Sequence, residues 1–432
     1  MSPPPVFIMN MHYTGMGIAR SLHGRSARLY GLSSHKDAPG RRCGFIDKLY
    51  DVPDGRDEPD ALCDKLLEIR NNHSRNPVIF PTRDLDVLFL HQYRKQLIPY
   101  FHIPQPDGDV IPRILDKYEL AVVARELGID VPETIVCSSI EEIENAGELL
   151  RFPVVAKPRF AYQWRRQGVW EKVGARKAVP IESVGQLREE YHRVSDVEKE
   201  LLVQENIQGT DSDIVVFCCY VNIDGQLKGC FTARKLRQNP PLFGTGCVVE
   251  AVHIPEIIEP SLGILKKFNY SGIAEIEYKY DGNSKKYYLI EINPRLWDQH
   301  ELGLSVGINL SEIAYREITG CDTRPVAPTY GAKPIKWVAE RELLFLEMGT
   351  LFKEIVRDGD INGIIRIKKC FSAVMRHIRD MAKLLEGRRT LAVCRLVDPV
   401  PGIMLCISVV SELARVSIKK SREYLFSKRG DS

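Results

Sequence analysis

Four side chains near one another in the sequence suggest what chemistry this chain can do. They are Glu277, Glu291, Asn293 and Arg295, and they fall in the stretch GIAEIEYKYDGNSKKYYLIEINPR from Gly272 to Arg295. The stretch reads as two short antiparallel strands. Ile273 to Tyr278 alternates apolar and polar residues, Asp281-Gly282-Asn283 supplies a turn, and Tyr287 to Ile292 runs back. A hairpin needs apolar residues on its core face, but it has no need of acids there. Carboxylates rarely occupy a buried strand unless they are paired or bound to a cation. Two acids and an amide across a hairpin make a hard, oxygen-rich site suited to Mg²⁺ carrying a polyphosphate. The plainer alternative is a surface hairpin whose acids pair with Lys279, Lys285 or Lys286.

Several cationic positions upstream fit the first alternative. Lys157 closes the apolar strand Pro153 to Pro158, where a buried lysine calls for an anion, and phosphate is the economical choice. The segment at about 159–174 holds Trp164, Arg165, Arg166, Gly168 and Gly174. It reads either as a basic flap that closes over phosphates or as a solvated hairpin. The strand Leu201 to Glu205 switches to the loop Asn206-Ile207-Gln208-Gly209, with Asp211 and Asp213 just beyond. Such a switch offers backbone groups to an adenine edge and an acid to ribose hydroxyls. Arg234, Lys235 and Arg237 put three cations in four positions, as a solvated face or as a counterweight to a triphosphate. Phe243-Gly244-Thr245-Gly246 is a glycine loop with no helix behind it, a poor phosphate cradle.

The elements that must hold these residues follow from periodicity. Val6 to Asn10, the helix opening at Thr14 to Arg20, and Arg28 to Leu32 begin a βαβ unit. Gly15-x-Gly17 invites a dinucleotide reading, but Arg20 stands at the third glycine position and no acid follows the second strand. A Rossmann-like domain without NAD is predicted. Thr82, Arg83 and Asp84 follow the strand Pro77 to Phe80, on the rim where open α/β sheets bind ligands. Asp84 could equally cap a helix from Leu85 to Tyr93. Pro112 starts a new unit, with a helix from Asp116 to Gly128. A hairpin is expected at Ile214 to Asn222 and Leu227 to Thr232, and helices at Pro255 to Phe268 and Asn309 to Thr319. From Lys333 on, amphipathic stretches at Glu340 to Arg357, Ile364 to Leu385 and Leu405 to Leu425 read as a helical appendage. It could pack on the body, form a homodimer or touch a membrane surface.

Bulk composition narrows the rest. Among 432 residues, 44% hydrophobic and 27% charged content is that of a globular chain; a net charge of +3 is too small to argue for a nucleic-acid partner, and with no long basic block in the first 330 residues none is expected. Eleven cysteines without paired spacing, and no signal peptide, point to a reduced, cytoplasmic protein. The apolar run near Val400 to Val410 is broken by Pro401-Gly402 and too short to span a bilayer.

The pattern IEINPR, preceded by an acid in the adjoining strand, resembles the metal-binding end of the ATP-grasp superfamily. The resemblance covers residues 1 to 320 and is strongest between Leu201 and Gly320. It is nearest the carboxylate–amine ligase branch, which includes D-aspartate ligase and carbamoyl phosphate synthase-like domains. The fold it implies combines α/β and α+β parts: a Rossmann-like domain (1–111), a two-lobed ATP-grasp domain (112–325) and the helical region (333–432). The resemblance also implies residue roles. Lys117 and Lys157 approach the α- and β-phosphates, Gln204, Glu205 and Ile207 form the adenine hinge, and Asp211 or Asp213 binds ribose. Arg234 or Lys235 meets the γ-phosphate. Glu277, Glu291 and Asn293 hold Mg²⁺, which Mn²⁺ could replace. Arg295 holds the transferred phosphoryl group, and with Lys157 and Arg234 makes the catalytic set. Thr82, Arg83, Asp84 and Arg165 are candidates for the substrate. The implied reaction is an ADP-forming ligation of a small carboxylate to an amine through an acyl-phosphate. A carboxylase or carbamoyl-phosphate-type enzyme keeps the same ATP site but lacks a biotin-carrier motif or glutaminase here. A non-catalytic nucleotide sensor would have no need of the intact Mg²⁺ set.

Overall fold

The computed structural model of the chain describes residues 3–411, apart from 26, 166–168, 175, 358–362 and 410. Three sheets organise it. The first is parallel, in the order β3-β2-β1-β4, from β1 (Val6–Met9), β2 (Leu29–Ser33), β3 (Lys48–Asp51) and β4 (Val78–Phe80). β1 and β4 are buried along their whole length, which explains their unbroken apolar runs. The glycine pair after β1 permits close packing. A Cβ on Gly17 would sit 2.5 Å from Cε1 of His300, so the helix Tyr13–Leu22 can press against that turn only without a side chain there.

The second sheet is antiparallel, in the order β5-β8-β6-β7, from β5 (Thr134–Cys137), β6 (Val154–Lys157), β7 (Val179–Ile181) and β8 (Leu201–Glu205). Its core includes Leu187, Tyr191 and Val194 of the helix Val184–Val194, and Trp164. The flap departs from the hairpin alternative. It folds as two helical turns, Ala161–Trp164 and Val169–Lys172, with Trp164 buried beneath. Arg166 and Gly168 lie outside the described residues.

The third sheet has seven strands: β9 (Ile214–Val221), β10 (Leu227–Asn239), β11 (Thr245–Ala251), β12 (Gly272–Asp281), β13 (Lys286–Asn293), β14 (Ile335–Val338) and β15 (Arg388–Leu391). Their order is β13-β12-β9-β10-β11-β14-β15. β9 is buried on both faces, so Cys218 packs in one core and Cys219 in the other. The basic stretch at 233–239 is no separate element but the second half of β10.

The C-terminal region is not purely helical. β14 and β15 extend the seven-stranded sheet, with Trp337 1% exposed, and the helices Glu340–Arg357 and Gly363–Leu384 form the connection between them. A further helix runs over 399–409 instead of starting at Leu405, and the rest of that expected helix, 412–425, lies outside the described residues. This region packs on the body. Arg20 donates to the carbonyls of Ala392 at 2.6 Å and Val393 at 3.0 Å. The ten described cysteines are all free. Among the described residues, no helix is long and apolar enough to cross a membrane.

Candidate active site

The hairpin β12–β13 builds the floor of a cavity of about 610 Å³ that reaches from the β8 loop to the rim after β4. Its register sets Glu277 opposite Glu291 and Glu275 opposite Asn293. Strand alternation therefore points these four polar side chains toward the cavity, while Ile276 and Tyr278 go to the core. The surface alternative for the acids fails. Glu291 meets Lys117 (Nζ–Oε2 3.1 Å), and Glu277 pairs with Lys235.

Lys117 opens the helix Lys117–Glu126, which Asp116 caps through the amides of Tyr118 and Glu119. Lys157, at the end of β6, donates to Oε1 of Gln204 at 2.6 Å, and Gln204 donates in turn to Thr134 Oγ1 at 2.8 Å. Glu205 and Ile207 line the same wall. The cavity thus brings together Lys117, Lys157, Gln204, Glu205, Ile207, Lys235, Glu277, Glu291, Asn293, Arg295 and Arg165.

Three expected positions do not line it. Asp211 accepts from the backbone amides of Gln238 and Leu242, each at 2.8 Å, and so ties the β8–β9 loop to the end of β10. Asp213 accepts from Thr210 Oγ1 at 3.0 Å, as a turn residue. Arg234 is adjacent to Lys235 on β10, so its side chain leaves the opposite face of the sheet. Of the two cations, Lys235 is the one in the cavity.

The rim residues Thr82, Arg83 and Asp84 line the cavity too, while Asp84 departs from the capping alternative. Asp84 does not cap the helix Asp84–Gln92; Asp86 does so through the amide of Arg83 at 2.9 Å. Asp84 instead accepts from Arg295 Nε at 2.6 Å. Arg83 is engaged by Asp54 and Asp86, and Thr82 Oγ1 by the carbonyl of Met9, so both serve the rim's own structure. Arg295 is different. A guanidinium has five N–H donors. Three go to Asp84, to Asn293 Oδ1 at 3.2 Å and to the Leu296 carbonyl at 3.1 Å. One donor on each terminal nitrogen is left over, a fork for an anion.

Sequence reasoning passed over Glu275, Lys177, Asp298 and Gln299, which also line the cavity. The spacing Glu275-x-Glu277 could have found the first. Lys177 donates to Thr245 Oγ1 at 2.7 Å and Gln299 to the Gly246 carbonyl at 2.6 Å, which ties them to the glycine loop, itself part of the cavity wall from Phe243 to Gly246. Asp298 accepts from Thr14 Oγ1 at 2.7 Å.

Burial and charge tune these groups. Burial, helped by the nearby Lys117 ammonium, brings the Lys157 ammonium down to about 7. Burial pushes the Glu275 carboxyl up to about 8, against the pull of Lys235. Burial would raise Glu291 as well, but Lys117 and Lys235 outweigh it and hold that carboxylate below the usual range. The cavity wall thus interleaves cations with carboxylates, several of them paired across it.

Residues 248–321 match the family carbamoyl-phosphate synthase L chain, ATP binding domain. The chain is 25% identical over 356 residues to D-aspartate ligase of Enterococcus faecium (strain Aus0004), covering 77% of this chain and 81% of the relative. Both matches are to ATP-grasp proteins, and this chain is similar to them. A second ATP-grasp relative is the carbamoyl phosphate synthase large chain of Gemmatimonas aurantiaca, 22% identical over 251 residues; the match takes in 55% of this chain but only 21% of that enzyme. Among solved structures, N5-carboxyaminoimidazole synthetase from Staphylococcus aureus complexed with ADP superposes with a TM-score of 0.61 at 18% identity. It covers 80% of this chain and 85% of its own, and it speaks for the ATP-grasp fold alone.

Proposed function

We propose that this chain is an ATP-dependent, ADP-forming carboxylate–amine ligase that works through an acyl-phosphate. One observation carries the reading. Lys117, Lys157 and Lys235 converge with Glu277, Glu291, Asn293 and the free fork of Arg295 in a single cavity. The likeness to D-aspartate ligase over four-fifths of its length supports the same reaction class.

The donor set fits magnesium. Among the described residues no three His, Cys, Asp or Glu side chains cluster to hold a metal unaided. Two carboxylates and an amide on one face of the β12–β13 hairpin suit a hard cation that completes its shell with phosphate oxygens and water. When bound, the ion neutralises polyphosphate charge. In this reading the protein's own residues do the rest. Gln204, Glu205 and Ile207 hold the base, and Lys117 and Lys157 hold the phosphates. Lys235 moves from Glu277 to the terminal phosphoryl group, and Arg295 steadies that group as the substrate carboxylate oxygen attacks it. ADP leaves, the amine displaces phosphate from the acyl carbon, and a C–N bond replaces the C–O bond. The cleft walls keep water from the acyl-phosphate. The free cysteines agree with a reducing, cytoplasmic setting.

The test is ADP formation with ATP, Mg²⁺ and pooled D- and L-amino acids as carboxylate and amine donors. The reading predicts carboxylate-dependent ADP release, which Glu291→Gln abolishes while the fold survives. Nucleotide binding without turnover for any acceptor would favour a sensor instead.

A further inference from the structure

Glu275 has no role in the chemistry above, yet it is a carboxylic acid only 5% exposed on the cavity wall. A buried acid costs free energy unless it is partnered. Its partner is Asn293. The two stand opposite each other in the hairpin register, and Asn293 Nδ2 donates to Glu275 Oε2 at 3.1 Å.

An amide has two faces. Only its oxygen can ligate a cation, and a half-turn of the side chain exchanges that oxygen for the NH₂ group. Asn293 is flanked on one side by an acceptor, Glu275, and on the other by a pure donor, Arg295, whose Nη2 reaches Oδ1 at 3.2 Å. Turning the amide would set NH₂ against a guanidinium and oxygen against a carboxyl group. Both contacts would be lost, and the NH₂ group would face a guanidinium that offers only donors. The two neighbours therefore encode one orientation. An oxygen of Glu275 can accept from the amide in either charge state, and the donor-against-donor clash with Arg295 disfavours the turned amide in both.

We propose that Glu275 is a positioning residue that locks the Asn293 amide with its oxygen available to the metal. The inference rests on the metal reading of Glu277, Glu291 and Asn293. It also explains the doubled spacing, Glu-x-Glu on β12 against Glu-x-Asn on β13. The inner pair supplies two ligands, and the outer pair supplies one ligand and its holder. Residues that orient a metal ligand typically cost 10–100-fold in metal affinity when removed.

The experiment is Mn²⁺ binding, followed by loss of the free-ion electron paramagnetic resonance signal, with a non-hydrolysable ATP analogue present. Glu275→Met keeps the volume and removes the acceptor, and a urea unfolding curve of the variant confirms that it folds before binding is compared. Glu275→Gln keeps an accepting oxygen. The expected result is Mn²⁺ affinity roughly 10–100-fold weaker in Glu275→Met, with Glu275→Gln close to wild type. Metal-free analogue affinity should be unchanged in both. Wild-type Mn²⁺ affinity in Glu275→Met would overturn the inference. So would Glu275→Gln as weak as Glu275→Met, or an equal loss of metal-free nucleotide binding. A wild-type protein with no analogue-dependent Mn²⁺ site would remove the metal reading itself, and the inference with it.

Discussion

Replacing Lys157 by Met should abolish a pH dependence of nucleotide binding that the buried lysine imposes. Lys157 is 7% exposed, and burial, with Lys117 beside it, brings its ammonium down to about 7. A polyphosphate reverses that balance and raises the pKa, so binding takes up a proton. Affinity then follows the protonated fraction: strong below about pH 7 and weakening as pH rises through it. From pH 6 to pH 8 that fraction falls about tenfold, or about 1.4 kcal/mol. Lys157→Met lacks this slope. At pH 6 it should bind more weakly by about 1.5–3 kcal/mol, the worth of one hydrogen bond to a charged group, and the gap should narrow toward pH 8. Titrating a fluorescent ATP analogue against both proteins measures it. The nucleotide's own ionisation is common to both and cancels in their ratio. A mutant-to-wild-type ratio that stays constant from pH 6 to 8.5 would refute the placement of Lys157 beside a phosphate.

Asp84→Ala should lower kcat roughly 10–100-fold, the equivalent of losing a charged hydrogen bond to Arg295, with KM for ATP little changed; steady-state kinetics with unaltered kcat would show that Arg295 needs no such support. Trp337→Ala should cost about 3–5 kcal/mol in urea unfolding, because its indole is buried where β14 joins the central sheet. An effect near zero would mean that the C-terminal strands are not part of that core. Gly17→Val should destabilise the chain by about 1–3 kcal/mol, since a side chain there meets His300, and neither protein should bind NAD; saturable NAD binding by the wild type would reverse the packing explanation.

How much of this was legible in the sequence depended on whether a residue's role was local. Glu277, Glu291, Asn293 and Lys157 stood out because charged or amide groups interrupt short apolar strands, a signal contained within one element. Choosing Lys235 over Arg234 required knowing which face of β10 meets the cleft, and β10 shifts register between Lys235 and Arg237. Asp211 resembled a ribose acid in sequence, but its fate is set by amides 27 and 31 positions away. Asp84 looked like a cap because the local pattern permits one, whereas its partner, Arg295, lies 211 positions downstream. β14 and β15 are four residues each beside long helices, so amphipathic helical periodicity dominated the reading of that region. Glu275 was visible as part of the alternation, but its meaning appears only in the cross-strand register.

The most direct test of the acyl-phosphate route is isotope transfer. With a turned-over carboxylate substrate labelled with ¹⁸O in its carboxyl group, the released phosphate should carry one labelled oxygen per turnover, because that oxygen attacks the γ-phosphorus and stays on it when the amine arrives. Unlabelled phosphate from a working enzyme would mean that the carboxylate never received the phosphoryl group, contradicting the proposed chemistry of this cleft.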